Sequence, residues 1–364
     1  MITKLNLENF KCFEKISISL GNVNIFTGIN GMGKSTVLQS LLLLRQSYLR
    51  NQQMQGLYLN DRYVNLGNAQ DVLYEKARND IIRMSYSTSN DDNVTYDFQY
   101  RIDSDYLPLS HSMVLGTEEF LYDNHFMYLS AYRIEPKELY RISNEEELKN
   151  REFGKNGEFA LQYLGIMGDE VVSNDKVIIS DKLGNTLKNQ TRLWLDKIAP
   201  GVSPQVMVNP ILRTSEVRYE FIEGKEKSTS YKSMNVGFGI TYVLPVIVAI
   251  LSAKAGDIVL LENPEAHIHP AGQRALGELL ALAGAGGVQL LVETHSDHIL
   301  NGIRIAVKRQ QVAQECVKLF FFYKDAEDFF KHKYVSPSIL PDGRLDVWPE
   351  GFFDEWDKEL YALI

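Results

Sequence analysis

Cysteine is nearly missing. Cys12 and Cys316 are the two in 364 residues, too few and too far apart for a thiolate zinc site or a disulfide framework. They read as small buried hydrophobes in a reducing compartment. Long apolar runs are also missing: Tyr242 to Leu251 is about half of a membrane span and contains Pro245, which excludes a transmembrane helix there. The opening MITKLNLENFK carries Lys4, Glu8 and Lys11, so neither a secretory signal nor a lipid anchor is expected. A basic excess is absent as well. With 38 Lys and Arg against 47 Asp and Glu, the net charge is −9, and a surface that attracts polyanions everywhere is excluded. Any nucleic-acid contact must be a confined patch. No internal repeat, heptad array or low-complexity tract occurs, which rules out a long coiled-coil arm.

What is present is ordinary for a soluble globular chain: 45% hydrophobic and 23% charged residues. A cytoplasmic protein without membrane contact is expected, of two domains or one domain with a large insertion. Leu5 and Leu7, then Ile16, Ile18 and Leu20, alternate with polar neighbours and predict two paired strands; VNIFTG predicts a third. Val37, Leu38, Leu41 and Leu42 continue at helical spacing to about Arg50. IIRMSYS and VTYDFQYRI read as antiparallel strands, followed by helices, and NEEELKNREFGKNGE as an exposed connection, with a functional loop at Gly154, Gly157 and Glu158 as the alternative. From Ser233 onward, apolar helices and strands alternate: TYVLPVIVAIL, DIVLLE, Ala271 to Ala283, VQLLVET and His298 to Arg309. That order predicts an α/β fold with a mainly parallel, helix-covered sheet.

GINGMGKST is the most informative segment. Gly28, four residues, Gly33, Lys34 and Ser35 follow an apolar strand and open a helix, the context a phosphate-binding loop requires. The glycines let backbone N–H groups close on a phosphate chain. Lys34 can reach the β- and γ-phosphates, and the Ser35 hydroxyl can ligate Mg²⁺. Glu262 ends the apolar run Ile258 to Leu261, where a carboxylate can hold the Mg²⁺ shell. His295 ends another apolar strand. Gly237 and Gly239 stand before an apolar helix, a second helix start able to contact phosphate, here from another subunit.

In that order, MITKLNLENFKCF, GINGMGKST, NVGFG, LLENPEAHIHP and ETHSDHIL resemble the ABC-type ATPases of the SMC, RecF and OLD group. The resemblance is greatest to a prokaryotic branch that has a segment like YLSAYRIEPKELY and ends in a domain of unknown function like DGRLDVWPEGFF. It implies a P-loop NTPase fold with an ABC-type head, N-terminal antiparallel strands and an inserted α+β subdomain. Residues 1–75 would form the N-terminal lobe, 76–232 the insertion, 233–314 the C-terminal lobe and 315–364 a tail domain. It implies ATP and Mg²⁺ as ligands, and a head-to-tail homodimer with ATP between the loop of one subunit and the signature of the other. Asn30, Gly31, Gly33, Lys34, Ser35 and Thr36 would contact the nucleotide in cis, and Asn235, Gly237 and Gly239 in trans. Ser35 and Glu262 would hold Mg²⁺ with Gln70, and His295 would sense the γ-phosphate. Where the wider group reads Asp-Glu-Pro-Glu, this chain reads Glu262, Asn263, Pro264, Glu265. An amide orients a water but cannot take its proton. Either Glu265 is the base, or hydrolysis is slow and the ATP-bound dimer long-lived. The function expected is a slowly ATP-hydrolysing switch for a separately encoded effector, in DNA maintenance or anti-phage defence. The alternative is an ATP-gated clamp on nucleic acid or protein with little hydrolysis.

Three features have competing readings. Glu265, His267 and His269 alternate as zinc ligands could, but no fourth ligand completes a tetrahedron. Arg133, Lys137 and Arg141 recur every four residues and would align on a helix opened by Pro136. That stripe is either a solvated face paired with Glu135 and Glu138, the reading preferred, or a nucleic-acid patch; Arg304, Lys308 and Arg309 pose the same choice. Trp348, Phe352, Phe353 and Trp356 in the tail must bury their rings against their own domain or a partner.

Overall fold

The computed structural model describes residues 1–364 apart from 123, 326–327, 329–330, 355–358, 361 and 364. The chain divides into two compact units, one of residues 1–126, 318–337 and 347–364, the other of 127–317 and 338–346. Among the described residues no helix is long and apolar enough to cross a membrane.

In the first unit the strands Ile2–Phe10 and Phe13–Ser19 pair antiparallel, with Leu5 opposite Ile18 and Leu7 opposite Ile16. The period-two alternation puts all four on one buried face. On its other edge Ile2–Phe10 pairs with Ile81–Thr88, and the sheet continues through Asn93–Gln99 and Tyr106–Leu115 to the short edge strand Gly56–Tyr58. Residues 81–115, assigned by sequence to the insertion, thus share a sheet with the N-terminal strands. Val23–Gly28 lies beside Val317–Lys324, where Phe26 stacks on Phe320 at 5.1 Å. The helix Lys34–Asn51 follows, buried along most of its circumference by Val37, Leu38 and Leu41 to Leu44. Its buried Arg45 donates to the Phe120 carbonyl at 2.6 Å and lies 4.4 Å from the Phe126 ring centroid. Phe352 of the tail is buried against Phe321, which accounts for one of its four aromatics within the same unit; Trp356 lies outside the described residues. Both cysteines are free and half-buried rather than buried.

The second unit is built on Ile258–Glu262 and Gln289–Glu293, paired parallel with Glu262 opposite Glu293 and flanked by Phe126–Leu129. The helices Phe238–Ser252, Pro270–Ala285 and Asp297–Lys308 fall where the apolar periodicity predicts them. Pro245 sits inside the first of these and is buried. A long hairpin, Val202–Asn209 with Thr214–Glu223, forms a separate small sheet joined by Tyr140–Arg141.

Two sequence expectations are corrected here. Residues 144–158 are not simply an exposed connection. Asn144 caps the helix Glu145–Lys149 in a reciprocal box with Glu147, Phe153 is buried, and Arg151 makes a buried ion pair with Asp257. Nor does Pro136 open a helix. Residues 131–139 are irregular and lead into a two-residue strand, so Arg133, Lys137 and Arg141 share no helical face.

Candidate nucleotide site

In the first unit, Asn24 is fully buried and ties the turn at Gly21 with two 2.8 Å hydrogen bonds, fixing the start of Val23–Gly28. The loop after that strand has positive φ at Gly28 (133°), Gly31 (79°) and Gly33 (102°), values that side chains with a Cβ resist. The helix begins at Lys34 with no side-chain cap and no acidic residue in its first turn. Its N-terminal N–H groups therefore keep their affinity for an anion. Lys34 is buried, and its Nζ donates to the carbonyls of Gly28 (2.8 Å) and Ile29 (3.0 Å). The ammonium is thus held inside the loop. Thr36 is buried with its hydroxyl 3.8 Å from Cys12 Sγ, Ser35 is half-buried, and Asn30 and Gly31 are exposed. Gln70 is exposed on the short helix Ala69–Asp71, where its amide donates to Asp103 at 2.7 Å.

In the second unit, the tip of Ile258–Glu262 gathers Glu262, Asn263, Glu265 and the backbone of His295. Glu262 accepts from the Tyr128 hydroxyl (3.0 Å) and the Ala131 N–H (3.2 Å), and its own carbonyl accepts from Arg133 Nη2 (2.8 Å). Burial and the Glu262 carboxylate both push the Tyr128 phenol up, keeping it a donor. Burial draws Arg133 down to about 10, so it remains a cation at neutral pH. Among the described residues its Nε and Nη1 have no hydrogen-bond partner. Asn263 sits at φ 44° and its backbone N–H donates to the Glu293 carbonyl at 2.8 Å, while its buried Oδ1 has no partner among the described residues. Glu265 is buried, its Oε1 accepting the His295 N–H at 2.9 Å and its Oε2 unpartnered among the described residues. Burial pushes its carboxyl up, opposed by the Thr294 hydroxyl, the His295 N–H and the Arg133 charge. His295 itself is exposed at the strand end.

Sequence reasoning missed Tyr128 and Arg133 as parts of this cluster. The signal was present in the segment YLSAYRI, but the stripe reading treated Arg133 as a surface cation, whereas it is 4% exposed. A tertiary contact of 129 residues' separation leaves no local periodicity to read.

Of the signature residues, Asn235 and Gly237 are exposed, Gly237 immediately preceding Phe238–Ser252. Gly239 has a packing reason of its own: a Cβ there would lie 2.1 Å from the His267 carbonyl oxygen. Gly239→Ala is expected to force the loop at 267 away and to cost about 1–3 kcal/mol, as overpacking does. Chemical denaturation would measure it, and an unchanged midpoint would remove the close-packing account. His267, at φ 63°, packs edge-on against Phe238 and Tyr242, each at 5.0 Å. His269 caps Pro270–Ala285, its Nδ1 accepting from the Ala271 N–H at 3.3 Å. Among the described residues no group of three or more His, Cys, Asp or Glu is disposed to hold a metal. In the late helix Arg304 donates to the Gly343 carbonyl (2.7 Å) and to Asn301 (2.8 Å), while Lys308 and Arg309 are exposed.

Residues 23–301, spanning the phosphate loop, Glu262 and His295, match the family described as "AAA domain, putative AbiEii toxin, Type IV TA system". The chain belongs to this AAA family. Residues 312–363 of the AAA chain match a second family, DUF3696, described as a protein of unknown function. Among solved structures, an Smc head domain with an extended coiled coil, bound to the C-terminal domain of ScpA and derived from Pyrococcus furiosus, is similar at TM-score 0.51 and 15% identity, covering 100% of this chain and 99% of that one. An SmcHead bound to the C-winged helix domain of ScpA is similar at TM-score 0.50 and 16% identity, covering 93% and 98%. No curated protein matches the chain. The AAA chain therefore has the α/β P-loop NTPase fold of SMC-like ATPase heads and is an ATP-binding type of domain.

Proposed function

We propose that the AAA chain is a slowly ATP-hydrolysing switch that dimerises around nucleotide and acts on a separate effector. The observation that carries this is the phosphate loop: three glycines at positive φ, an uncapped helix start, and Lys34 held on the loop's own carbonyls. A phosphate chain offers Lys34 better acceptors than those carbonyls. Glu262 fits a hard cation, because each carboxylate oxygen accepts a single hydrogen bond from the chain and retains a lone pair. Ser35 supplies the matching hydroxyl, and Gln70 is the further candidate ligand. When bound, Mg²⁺ would neutralise phosphate charge and stabilise the charge that develops during transfer. Asn263 Oδ1 and Glu265 Oε2, both acceptors without a partner among the described residues, orient the attacking water, and Glu265 takes its proton. His295 reads the γ-phosphate. Asn235, Gly237 and Gly239 are the segment offered to the second subunit's nucleotide; exposure of the first two agrees with that use.

A second reading, an ATP-gated clamp with little turnover, is favoured by Asn263, whose amide cannot accept a proton. The effector role and a place in genome maintenance or phage defence draw support from the toxin–antitoxin wording of the family description and from the ScpA domains bound to the two Smc heads. Light scattering with and without ATP and Mg²⁺ tests dimerisation: the mass is expected to double with ATP for wild type and to stay monomeric for Lys34→Ala. A wild type whose mass ignores nucleotide would remove the sandwich dimer.

A further inference from the structure

The second unit contains a cavity of about 990 Å³ whose lining includes none of the residues assigned above to ATP, although Phe238 stands between Gly237 and Gly239 of the signature. Its lining includes a ring cluster in which Phe238, Tyr242 and His267 pack mutually with centroids 5.0 Å apart. Phe238 is 42% exposed, and Tyr132, which also lines the cavity, is 80% exposed. Such ring surface left in water at a cavity mouth costs free energy that a flat aromatic ligand would recover. The lining also carries Lys137 and Arg141, both exposed. The carboxylates expected to pair with them do not: Glu138 is held by Lys232, and among the described residues neither Lys137 nor Arg141 makes an ion pair. Arg133, also in the lining, is buried, and among the described residues its Nε and Nη1 find no hydrogen-bond partner.

We propose that this cavity is a second nucleotide-binding site, taking a nucleobase against the exposed rings and its phosphate on Lys137 and Arg141. Base stacking on aromatic side chains needs no sequence code, and two cations suffice for one or two phosphates. The volume is that of a small-ligand pocket and excludes a duplex. Glu135 and Glu158 also line it, and they oppose a longer polyanionic track. The ligand is thus a free mononucleotide or an unpaired unit of a single strand. The site is also wired to the strand tip. Tyr242 accepts the Arg133 N–H at 3.3 Å, and Arg133 in turn holds the Glu262 carbonyl. A ligand seated on Tyr242 and Arg133 therefore bears on the carboxylate assigned to the Mg²⁺ shell. This coupling rests on the proposed ATPase reading; the binding site does not.

The test measures fluorescence anisotropy of two probes without ATP: a labelled oligo-dT of about 12 nucleotides and a fluorescent AMP analogue. Wild type and Lys34→Ala are expected to bind alike, because the phosphate loop is not the site read. Tyr132→Ala is expected to weaken binding about tenfold. The double variant Lys137→Gln, Arg141→Gln is expected to weaken it about tenfold or more and, for the oligonucleotide, to flatten the dependence of log affinity on log salt by about 1.4. All three side chains are exposed, and matching melting curves would show that the fold is kept. The probe that binds more tightly identifies the source of the nucleotide. Affinity unmoved by the cavity variants, lost in Lys34→Ala, or absent for both probes at millimolar concentration would overturn the site. In the turnover arm, the bound probe is expected to change the ATPase rate of wild type and not of the double variant. An unchanged wild-type rate overturns the coupling, and a chain that binds probe yet never hydrolyses ATP overturns the ATPase reading while leaving the site standing.

Discussion

Lys34→Ala is expected to weaken ATP binding by at least about 100-fold and to remove turnover with it. The Lys34 ammonium is the buried cation at the phosphate loop and now rests on two backbone carbonyls. Each charge-assisted contact it would make to phosphate contributes about 1.5–3 kcal/mol, so losing two accounts for the fall. Folding should be nearly unaffected. Ile29 is 66% exposed, so water can reach this part of the loop and replace lost hydrogen bonds. Equilibrium binding of a fluorescent ATP analogue, with melting curves alongside, is the measurement. A variant that binds ATP like wild type would end the phosphate-loop assignment, and one that fails to fold would show that Lys34 has a structural role as well.

Glu265→Gln should lower single-turnover hydrolysis by about 10²–10⁴, the usual loss for a positioned base, while leaving ATP affinity within a few fold. The amide keeps an oxygen for the His295 N–H that Oε1 accepts at 2.9 Å, so the cluster's shape is retained and the proton acceptor is lost. The pH dependence carries a second, independent sign. Burial raises the Glu265 carboxyl above its ordinary value, so the rising limb of activity should lie above the pH of about 4.3 typical of free glutamate. Between the unfolded and folded values the folded protein binds more protons than the unfolded chain. Stability from this group is therefore present below the unfolded pKa and declines as pH rises through the folded one. Glutamine abolishes that decline and is expected to raise the melting temperature at neutral pH as activity falls. Undiminished turnover would remove Glu265 as base and favour the clamp, with Asn263 merely orienting water.

Much of the phosphate loop was legible in order and in type. Gly28, Gly33, Lys34 and Ser35 are contiguous, and their chemistry depends on backbone geometry that a strand, a glycine turn and a helix start specify locally. The same holds for the strands at Leu5, Ile18, Ile258 and Leu290, whose burial follows the apolar pattern. The failures share one cause. Arg133, Lys137 and Arg141 have helical spacing, but Pro136 and the hydrogen bonds from Arg133 to Glu262 and Tyr242 hold the segment irregular. Arg151 sits in a polar, glycine-bearing stretch that looks like surface loop, yet it buries its charge on Asp257. A cation costs little at the surface and several kcal/mol inside unless paired, and the sequence around it does not say whether a partner a hundred residues away will arrive.

The sequence by itself determined the local devices: the loop that can bind phosphate, the carboxylate at a strand end, the amide in place of the usual acid at 263, and an acidic surface that confines polyanion contacts. Each depends on neighbours within a few residues or on composition alone. Only the tertiary structure decided what surrounds Glu262. Tyr128, Ala131 and Arg133 come from one distant segment and Tyr242 from another, and burial then separated three cations of equal spacing into one interior guanidinium and two exposed charges on a cavity wall. That separation depends on low dielectric and long-range packing, which residue spacing does not encode.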